Sequence, residues 1–356
     1  MERNYNFCAG PSTLPEAVLK QAQAEFLNWH GLGASVMEIS HRSKDFEAIM
    51  VQSEQKIRSL LNIPENYKII FQQGGAYAQF SMIPLNLLGN QTKVDAIDTG
   101  NWSNKAMKAM AKYAEINVLA TAKDTLPEEG SLKFSKDAAF VHYCDNETIS
   151  GVEFDYAVQS EYAPTVVDMS SNILSREFDV SKFGLIYAGA QKNIGPSGIT
   201  VVIVREDLLG KANPMTPDVF NYELQSKNIS MVNTPPTFSM YMIDLVLTWL
   251  QNQGGVSAIE KINNEKAAMI YNIIDSSDFY RNPVTKNARS RMNIPFTIVN
   301  PELDPIFLAQ AKEHGLINLE GYRAVGGMRA SIYNGLPLEG VKVLCEFMSD
   351  FEKKYG

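Results

Sequence analysis

Six short apolar segments, separated by helical or loop stretches, constrain the fold of this chain more than any other feature of its sequence. The segments are residues 68–71, 94–97, 139–143, 165–168, 185–187 and 199–204. Two of them are apolar on both faces, as strands are when helices cover both sides of a sheet. The alternation therefore predicts an α/β layer with a mainly parallel sheet.

The later part of the chain departs from this alternation. A long helical pattern over 237–251 and 256–275 is followed by predicted strands at 293–299 and 328–333 and by predicted helices at 303–313 and 337–354. These elements are typical of a smaller α+β domain. We expect residues 16–257 to form a large domain, residues 1–15 and 258–356 to form a small one, and a cleft to lie between them.

Composition and charge narrow the classes of partner. The 356 residues carry a net charge of −8, whereas a surface for nucleic acid or anionic membranes needs a basic face. Cys8, Cys144 and Cys345 form no C-x-x-C pair, which fits a reducing compartment. The first residues lack the pattern of a signal peptide, and the apolar stretch 238–250 is too short to span a bilayer. These features predict a cytoplasmic protein with no nucleic-acid or membrane partner.

The strand-like stretch 184–196 ends in a single lysine, Lys192, which a Gly/Pro turn follows. Removing an unpaired ammonium from water is costly, so a lysine at the end of a buried strand needs a reason. A partly buried lysine has a lowered pKa and can form a Schiff base with a carbonyl compound. The alternative is that Lys192 is simply the first solvated residue after a strand.

Three further strand ends carry candidate ligand-binding residues. Gly74 and Gly75 follow a strand and open a helix whose first amides can bind phosphate, although a tight turn needs the same glycines. Asp168 ends another strand, where it could bind a protonated ring nitrogen or cap the next segment. Trp102 follows a third strand, and its indole could stack on a flat ring or belong to the core.

Cationic side chains complete the set of candidates. His41, Arg42, Arg323 and Arg329 could bind carboxylate or phosphate groups, although surface arginines are the commoner case. No H-E-x-x-H or other metal-ligand spacing occurs in the sequence, so no metal site is expected. An amine, an acid, an aromatic lid and a phosphate-binding helix are the protein groups that pyridoxal phosphate needs.

At five places the sequence closely resembles the phosphoserine aminotransferases, a family of class V aminotransferases with the aspartate-aminotransferase fold. The motifs are NFCAGP at 6–11, SVMEISHR at 35–42, YAGAQKNIGP at 187–196, NTPPTF at 233–238 and VGGMRASIYN at 325–334. The resemblance extends over essentially the whole chain, and the last two motifs are specific to this family. It implies an α/β large domain of PLP fold type I, a smaller α+β domain and pyridoxal 5′-phosphate as the cofactor.

The resemblance also implies where the cofactor binds. Lys192 matches the lysine that carries it as an internal aldimine, and Asp168 matches the acid that keeps the pyridine nitrogen protonated. The remaining cofactor-binding positions that it implies are Ala76, Tyr77, Trp102, Thr148 and Gln191, with Asn233 and Thr234 reaching the phosphate from the neighbouring subunit. The active unit is therefore expected to be a symmetric homodimer.

Substrate-binding positions follow from the same resemblance. Arg329 matches the arginine for the substrate α-carboxylate. His41 and Arg42, with Arg323 from the partner, match the region that holds the substrate phosphate or the distal carboxylate of glutamate.

Two positions depart from the family pattern. Many relatives have an arginine or a small residue where Tyr77 stands, and a histidine where Tyr322 stands. A tyrosine keeps one hydrogen-bond donor but removes a possible charge. We therefore expect weaker discrimination between phosphorylated and unphosphorylated substrates.

The activity implied by the resemblance is ping-pong transamination between glutamate and 3-phosphohydroxypyruvate in serine biosynthesis. A role with the phosphorylated threonine analogue of vitamin B6 synthesis is also open. The alternatives are an alanine–glyoxylate aminotransferase, a cysteine desulfurase, or a non-catalytic phosphate-ligand-binding protein on the same fold. The desulfurase is disfavoured because no cysteine lies in an obvious flexible loop.

Overall fold

The computed structural model describes residues 3–323 and 326–356, so Val325 of the last motif lies outside the described residues. The strands are β1 (Tyr5–Asn6), β2 (Tyr67–Gln73), β3 (Lys93–Asp98), β4 (Glu115–Thr121), β5 (Ala138–Cys144), β6 (Asn146–Glu147), β7 (Val152–Glu153), β8 (Thr165–Asp168), β9 (Leu185–Gly189), β10 (Ile199–Arg205), β11 (Tyr280–Arg281), β12 (Asn293–Ile298), β13 (Leu316–Ile317) and β14 (Met328–Ser331). The α-helices are α1 (Glu16–Glu25), α2 (Lys44–Leu60), α3 (Ala76–Leu87), α4 (Asn101–Met110), α5 (Tyr222–Lys227), α6 (Thr237–Asn252), α7 (Gly255–Asp275), α8 (Asp304–Glu313) and α9 (Leu338–Tyr355).

A seven-stranded sheet with the order β2-β10-β9-β8-β5-β3-β4 forms the centre of the protein. Only β10 runs antiparallel to its neighbours, while the pairs β8–β9, β5–β8, β3–β5 and β3–β4 are parallel. The predicted α/β class with a mainly parallel sheet is confirmed, and each of the six apolar segments lies within a strand of this sheet. The carboxyl ends of β2, β3, β5, β8 and β9 consequently meet at one edge.

Alternate residues of the central strands pack into two different cores. Val167 and Ile186 belong to the larger cluster, which includes residues of α2 and α6. Their sequence neighbours Val166 and Leu185 belong to a second cluster with residues of α3 and α4. Because side chains alternate across a strand, helices cover both faces of the sheet, which explains why these strands are apolar throughout.

The C-terminal part of the chain has its own apolar cluster. A three-stranded antiparallel sheet, β11-β12-β14, packs with α7, α8 and α9 around buried side chains such as Phe296 and Phe307. The N-terminal arm joins this part, because β1 pairs in parallel with β13 and Phe7 is buried in the same cluster. The domain limits at residues 16–257 stay a prediction; residue 257 lies in the first turn of α7.

Candidate active site

A cavity of about 360 Å³ opens at the edge of the sheet where the parallel strands end. Eight of the predicted site residues line it: Ala76, Tyr77, Trp102, Thr148, Asp168, Gln191, Lys192 and Arg329. Ligands of open α/β sheets bind at the carboxyl ends of strands, so the cavity has the position expected of an active site. Its walls also include Ala9 and Gly10 of the N-terminal arm, so both parts of the chain contribute to it.

Lys192 follows the turn after β9, and its side chain points into the cavity with only 8% of its surface exposed. The Nζ atom donates a hydrogen bond to Thr148 Oγ1 at 2.7 Å. Burial lowers the pKa of this amine to about 8, although the nearby Asp168 carboxylate opposes the shift. About a tenth of the amine is then neutral at pH 7, and a neutral amine is the form that attacks a carbonyl carbon.

Asp168 is the last residue of β8 and is 5% exposed. Its Oδ1 atom accepts a hydrogen bond from the backbone N–H of Ser170 at 2.8 Å. Burial raises the pKa of the carboxyl group, while the Ser170 hydrogen bonds and the charge of Lys192 hold it down. A buried acid next to a buried amine can keep the ring nitrogen of a bound heterocycle protonated.

Trp102 lies in the first turn of α4, and its indole forms another wall of the cavity. The Nζ atoms of Lys192 and Lys105 lie 6.0 Å and 4.5 Å from its ring centroid. Its Nε1 atom is buried and has no hydrogen-bond partner among residues 3–323 and 326–356. An indole on the cavity wall is suited to stack on a planar ligand.

Helix α3 points its N-terminus at the cavity. Gly74, with φ +102°, turns the chain after β2, and Gly75 occupies the N-cap without a side-chain cap. A Cβ atom added at Gly74 or Gly75 would meet no atom within 4 Å, so the space in front of the helix is open. The first amides, those of Ala76 and Tyr77, have no partner within the helix and are suited to bind an anion.

Arg329 belongs to β14 and lines the cavity. Its Nη1 atom is 3.4 Å from the carbonyl oxygen of Thr148, and its buried Nε atom has no partner in the described part of the chain. Burial lowers the pKa of the guanidinium. A buried donor without a partner costs free energy, which a bound carboxylate would recover through paired hydrogen bonds.

Five predicted site residues do not line this cavity: His41, Arg42, Asn233, Thr234 and Arg323. Arg42, Asn233, Thr234 and Arg323 are exposed, and His41 is partly buried. Tyr77 and Tyr322, the two departures from the family pattern, are at the cavity wall and are 61% and 38% exposed. The predicted roles of these residues in binding a distal anion, and of a second subunit, stay predictions.

The N-terminal arm is a part of the site that sequence reasoning missed. Gly10 lies against Lys192, because a Cβ atom at Gly10 would be 3.4 Å from Lys192 Cγ. The Ser12 hydroxyl donates to the carbonyl oxygen of Lys192 at 2.9 Å, and the Ser12 amide donates to that of Gln191. The arm contains the NFCAGP motif at 6–11, but the spacing of neighbouring residues cannot reveal a contact between Ser12 and Lys192, which are 180 residues apart.

The residues present fit pyridoxal phosphate on structural grounds. The cavity offers a buried amine, a buried acid, an indole, an open helix N-terminus and an arginine nitrogen with no partner among the described residues. No cluster of three potential metal ligands occurs in the described ranges, and none of the described helices is long and apolar enough to cross a membrane.

Comparison with known proteins shows the family of this chain. The sequence profile of the aminotransferase class-V family matches residues 4–344. The chain is 54% identical over 359 residues to a phosphoserine aminotransferase of Ectopseudomonas mendocina, with 100% of this chain and 99% of the relative covered. A phosphoserine aminotransferase of Acinetobacter baumannii is 55% identical, with 99% and 100% covered.

Solved structures agree with these sequence relatives. The phosphoserine aminotransferase of Bacillus circulans subsp. alkalophilus has a TM-score of 0.97 at 43% identity, with 100% of both chains covered. The PLP-bound enzyme of Trichomonas vaginalis has a TM-score of 0.93 at 39% identity, with 98% of this chain and 100% of that one covered. An alanine–glyoxylate aminotransferase of Nostoc sp. shares only the fold, at 16% identity and a TM-score of 0.78, with 98% and 95% covered. The chain belongs to the class V aminotransferase family and, within it, to the phosphoserine aminotransferases.

Proposed function

We propose that this protein transfers the amino group of glutamate to 3-phosphohydroxypyruvate, giving O-phospho-L-serine and 2-oxoglutarate, with pyridoxal 5′-phosphate as its cofactor. The observation that carries the proposal is the buried Lys192 amine beside Asp168 in one cavity, in a chain with phosphoserine aminotransferases among its full-length relatives. When bound, the cofactor supplies an electron sink that stabilises negative charge at the substrate α-carbon.

Lys192 has two tasks in this proposal. Its neutral amine would hold the cofactor, and the same amine, once freed by substrate, would act as base and acid on the proton of the substrate α-carbon. The lowered pKa, about 8, keeps both protonation states accessible near neutral pH, as a group that alternates between base and acid requires. The hydrogen bond to Thr148 holds the amine at the cavity wall when no ligand engages it.

The other residues of the cavity orient the cofactor. Asp168 would keep the ring nitrogen of the cofactor protonated, and Trp102 would stack on the ring. The phosphate is assigned to the first amides of α3, at Ala76 and Tyr77, with Gln191 beside them. These assignments use groups that are buried, unpaired or open in the structure.

Substrate binding is assigned to two groups of residues, one for the α-carboxylate and one for the distal anion. Arg329, with its unpaired Nε atom, binds the α-carboxylate. The distal phosphate or carboxylate is assigned to His41 and Arg42, with Arg323 of the partner subunit. Asn233 and Thr234 of the partner subunit reach the cofactor phosphate. Exposure of Asn233, Thr234 and Arg323 outside the cavity of their own chain supports a homodimer in which they serve the other site.

This activity belongs to serine biosynthesis, and we assign it to the cytoplasm. Support for that location comes from Cys8, Cys144 and Cys345, which are all unpaired thiols. Such thiols are typical of a reducing compartment.

Two measurements test the proposed function. Lys192→Ala should lower kcat for glutamate and 3-phosphohydroxypyruvate by about 10²- to 10⁴-fold or more, because Lys192 is the group assigned to move the proton. Lys261→Ala, which changes an exposed lysine of α7, serves as the matched control and should keep wild-type turnover. Wild-type turnover by Lys192→Ala would refute the mechanism.

The second measurement compares kcat/KM for 3-phosphohydroxypyruvate and for glyoxylate. A preference for glyoxylate would contradict the substrate assignment and favour an alanine–glyoxylate type of activity. Purified protein that develops no visible absorbance after incubation with the cofactor would instead favour a non-catalytic relative.

A further inference from the structure

We propose that Glu147 is a positioning residue that fixes the indole of Trp102 over the cofactor site by capping helix α4 from a distant part of the chain. The inference rests on the proposed function, because the ring that it places is the one assigned to the cofactor. Glu147 does not line the cavity, and it acts through the backbone of Trp102.

The carboxylate of Glu147 is fully buried and accepts three hydrogen bonds from the first turn of α4. Its Oε2 atom accepts from the backbone N–H of Trp102 at 2.9 Å. Its Oε1 atom accepts from the backbone N–H and from the hydroxyl of Ser103, both at 2.8 Å. Both carboxylate oxygens are therefore engaged by the turn that carries Trp102.

Helix α4 depends on this cap because no nearby side chain accepts from its first amides. The Ser103 hydroxyl accepts instead from the backbone N–H groups of Thr99 and Gly100, which precede the helix, each at 3.0 Å. The N-cap residue of α4 is Gly100, which has no side chain to accept a hydrogen bond. A Cβ atom at Gly100 would lie 2.7 Å from Glu147 Cδ and 2.9 Å from Glu147 Oε2, so the carboxylate fills the space that a local cap would need. The glycine and the glutamate, 47 residues apart, thus form one capping arrangement.

The residue after Glu147 contacts Lys192. Thr148 follows Glu147 directly, and its hydroxyl accepts the hydrogen bond from Lys192 Nζ at 2.7 Å. The ring centroid of Trp102 lies 6.0 Å from that Nζ atom. Glu147 and Thr148 therefore set the distance between the stacking ring and the amine that attaches the cofactor, which a cofactor bound to both requires to be constant.

Glutamine cannot replace this carboxylate. Its side chain has one acceptor oxygen, whereas the amides of Trp102 and Ser103 approach two different oxygens of Glu147. In Glu147→Gln, one backbone N–H would face an NH₂ group, and the first turn of α4 would lose one of its anchors. The variant changes the side-chain volume very little, so its effect reports the lost hydrogen bond and charge.

The test is a double-mutant cycle on cofactor affinity. Glu147→Gln is expected to weaken binding of pyridoxal 5′-phosphate about tenfold in the wild-type background, measured by quenching of protein fluorescence and by visible absorbance. In a Trp102→Ala background the same change is expected to weaken it less than about twofold, because the ring that Glu147 places is gone. An equal loss in both backgrounds, or no loss in the wild-type background, would overturn the proposal.

Two further variants control for general damage. Asn221→Ala removes the cap of α5, where the Asn221 side chain accepts from the amides of Glu223 and Leu224 at 3.0 Å and 3.2 Å. It should lower the thermal midpoint and leave cofactor affinity unchanged; an equal loss of affinity would overturn the proposal.

Ser103→Ala removes the hydroxyl's bond to Glu147 and also the acceptor of the Thr99 and Gly100 amides, each at 3.0 Å, but it keeps the carboxylate and both of its backbone bonds. In a Ser103→Ala background, Glu147→Gln should therefore still weaken cofactor binding several-fold, and no further loss would contradict the assignment to Glu147.

Failure of the proposed function gives a different result. If the cofactor assignment fails, wild-type protein shows no cofactor absorbance, and if the substrate assignment fails, absorbance remains but kcat/KM favours glyoxylate. Failure of the Glu147 proposal alone leaves wild-type absorbance and turnover with 3-phosphohydroxypyruvate intact.

Discussion

Lys266 is a buried cation whose removal should change how stability depends on pH. It lies in α7, is fully buried, and its Nζ atom donates to the carbonyl oxygens of Ile332, Tyr333 and Leu336 at 2.9, 2.9 and 3.2 Å. These carbonyls belong to the segment whose Asn334 amide donates to the side chain of Asn193, the residue that follows Lys192. Burial lowers the pKa of Lys266 from its ordinary value of 10.5 to about 7.

The sign and size of the effect follow from proton linkage. Between pH 7 and pH 10.5 the unfolded chain keeps the proton on Lys266 and the folded protein releases it, so stability rises with pH. Below pH 7 both states are protonated and the full cost of burying the charge remains. Integrated from pH 6 to pH 9, this single group contributes roughly 3 kcal/mol to the free energy of unfolding, or a shift of about 3 to 4 °C in the thermal midpoint of a chain of this length.

The assay compares the thermal midpoints of cofactor-free wild type and Lys266→Met at pH 6 and pH 9, at equal ionic strength. The midpoint of wild type minus that of the variant should rise by about 3 to 4 °C between the two pH values, because a methionine side chain has no proton to release. Lys261→Met, which changes an exposed lysine of the same helix, should follow wild type. A difference that stays constant with pH would refute the reasoning and mean that three carbonyl oxygens solvate the ammonium as well as water does.

Three further predictions concern the cavity. The rate of covalent cofactor attachment should rise about tenfold per pH unit below pH 8 and level off above it. The reason is that the neutral amine is the nucleophile and burial lowers the pKa of Lys192 to about 8. Stopped-flow absorbance measures this rate, and a rate that does not change with pH would contradict the prediction. Tyr322→His should raise the kcat/KM ratio of 3-phosphohydroxypyruvate over hydroxypyruvate several-fold at pH 6, where histidine is charged, and an unchanged ratio would remove the role given to Tyr322. Gly100→Ala should weaken cofactor binding at least as much as Glu147→Gln, because the new Cβ atom would lie 2.7 Å from Glu147 Cδ. Wild-type affinity in a cofactor titration would argue against the capping arrangement of Gly100 and Glu147.

Much of the fold could be predicted because buried parallel strands have a simple signature. Segments such as 165–168 are apolar throughout, since both of their faces are covered. Strand β4 was missed because it lies at the edge of the sheet, where Val118 is 47% exposed and no continuous apolar run is needed. The antiparallel direction of β10 also carries no local signal, because a strand covered on both faces has the same pattern in either direction.

The candidate site could be predicted where a polar residue interrupts an apolar pattern. Asp168 and Lys192 stand out for this reason, and the structure brings both to one cavity. Glu147 could not be identified in this way, because its partners in α4 are 44 and 45 residues away and its own surroundings look like an ordinary loop. The roles proposed for Arg42 and Arg323 involve a second subunit, and no pattern within one chain can place that subunit.

The central claim is that Lys192 is the residue that attaches the cofactor, and reduction followed by peptide mapping tests it directly. Holoenzyme treated with borohydride and digested with trypsin should carry the pyridoxyl label on the peptide from Phe183 to Arg205, uncleaved at Lys192. Lys105 is the informative alternative, because its Nζ atom is also near the Trp102 ring, at 4.5 Å. Label on Lys192 alone is the result that the structure predicts, and label on Lys105 or on no single lysine would contradict it.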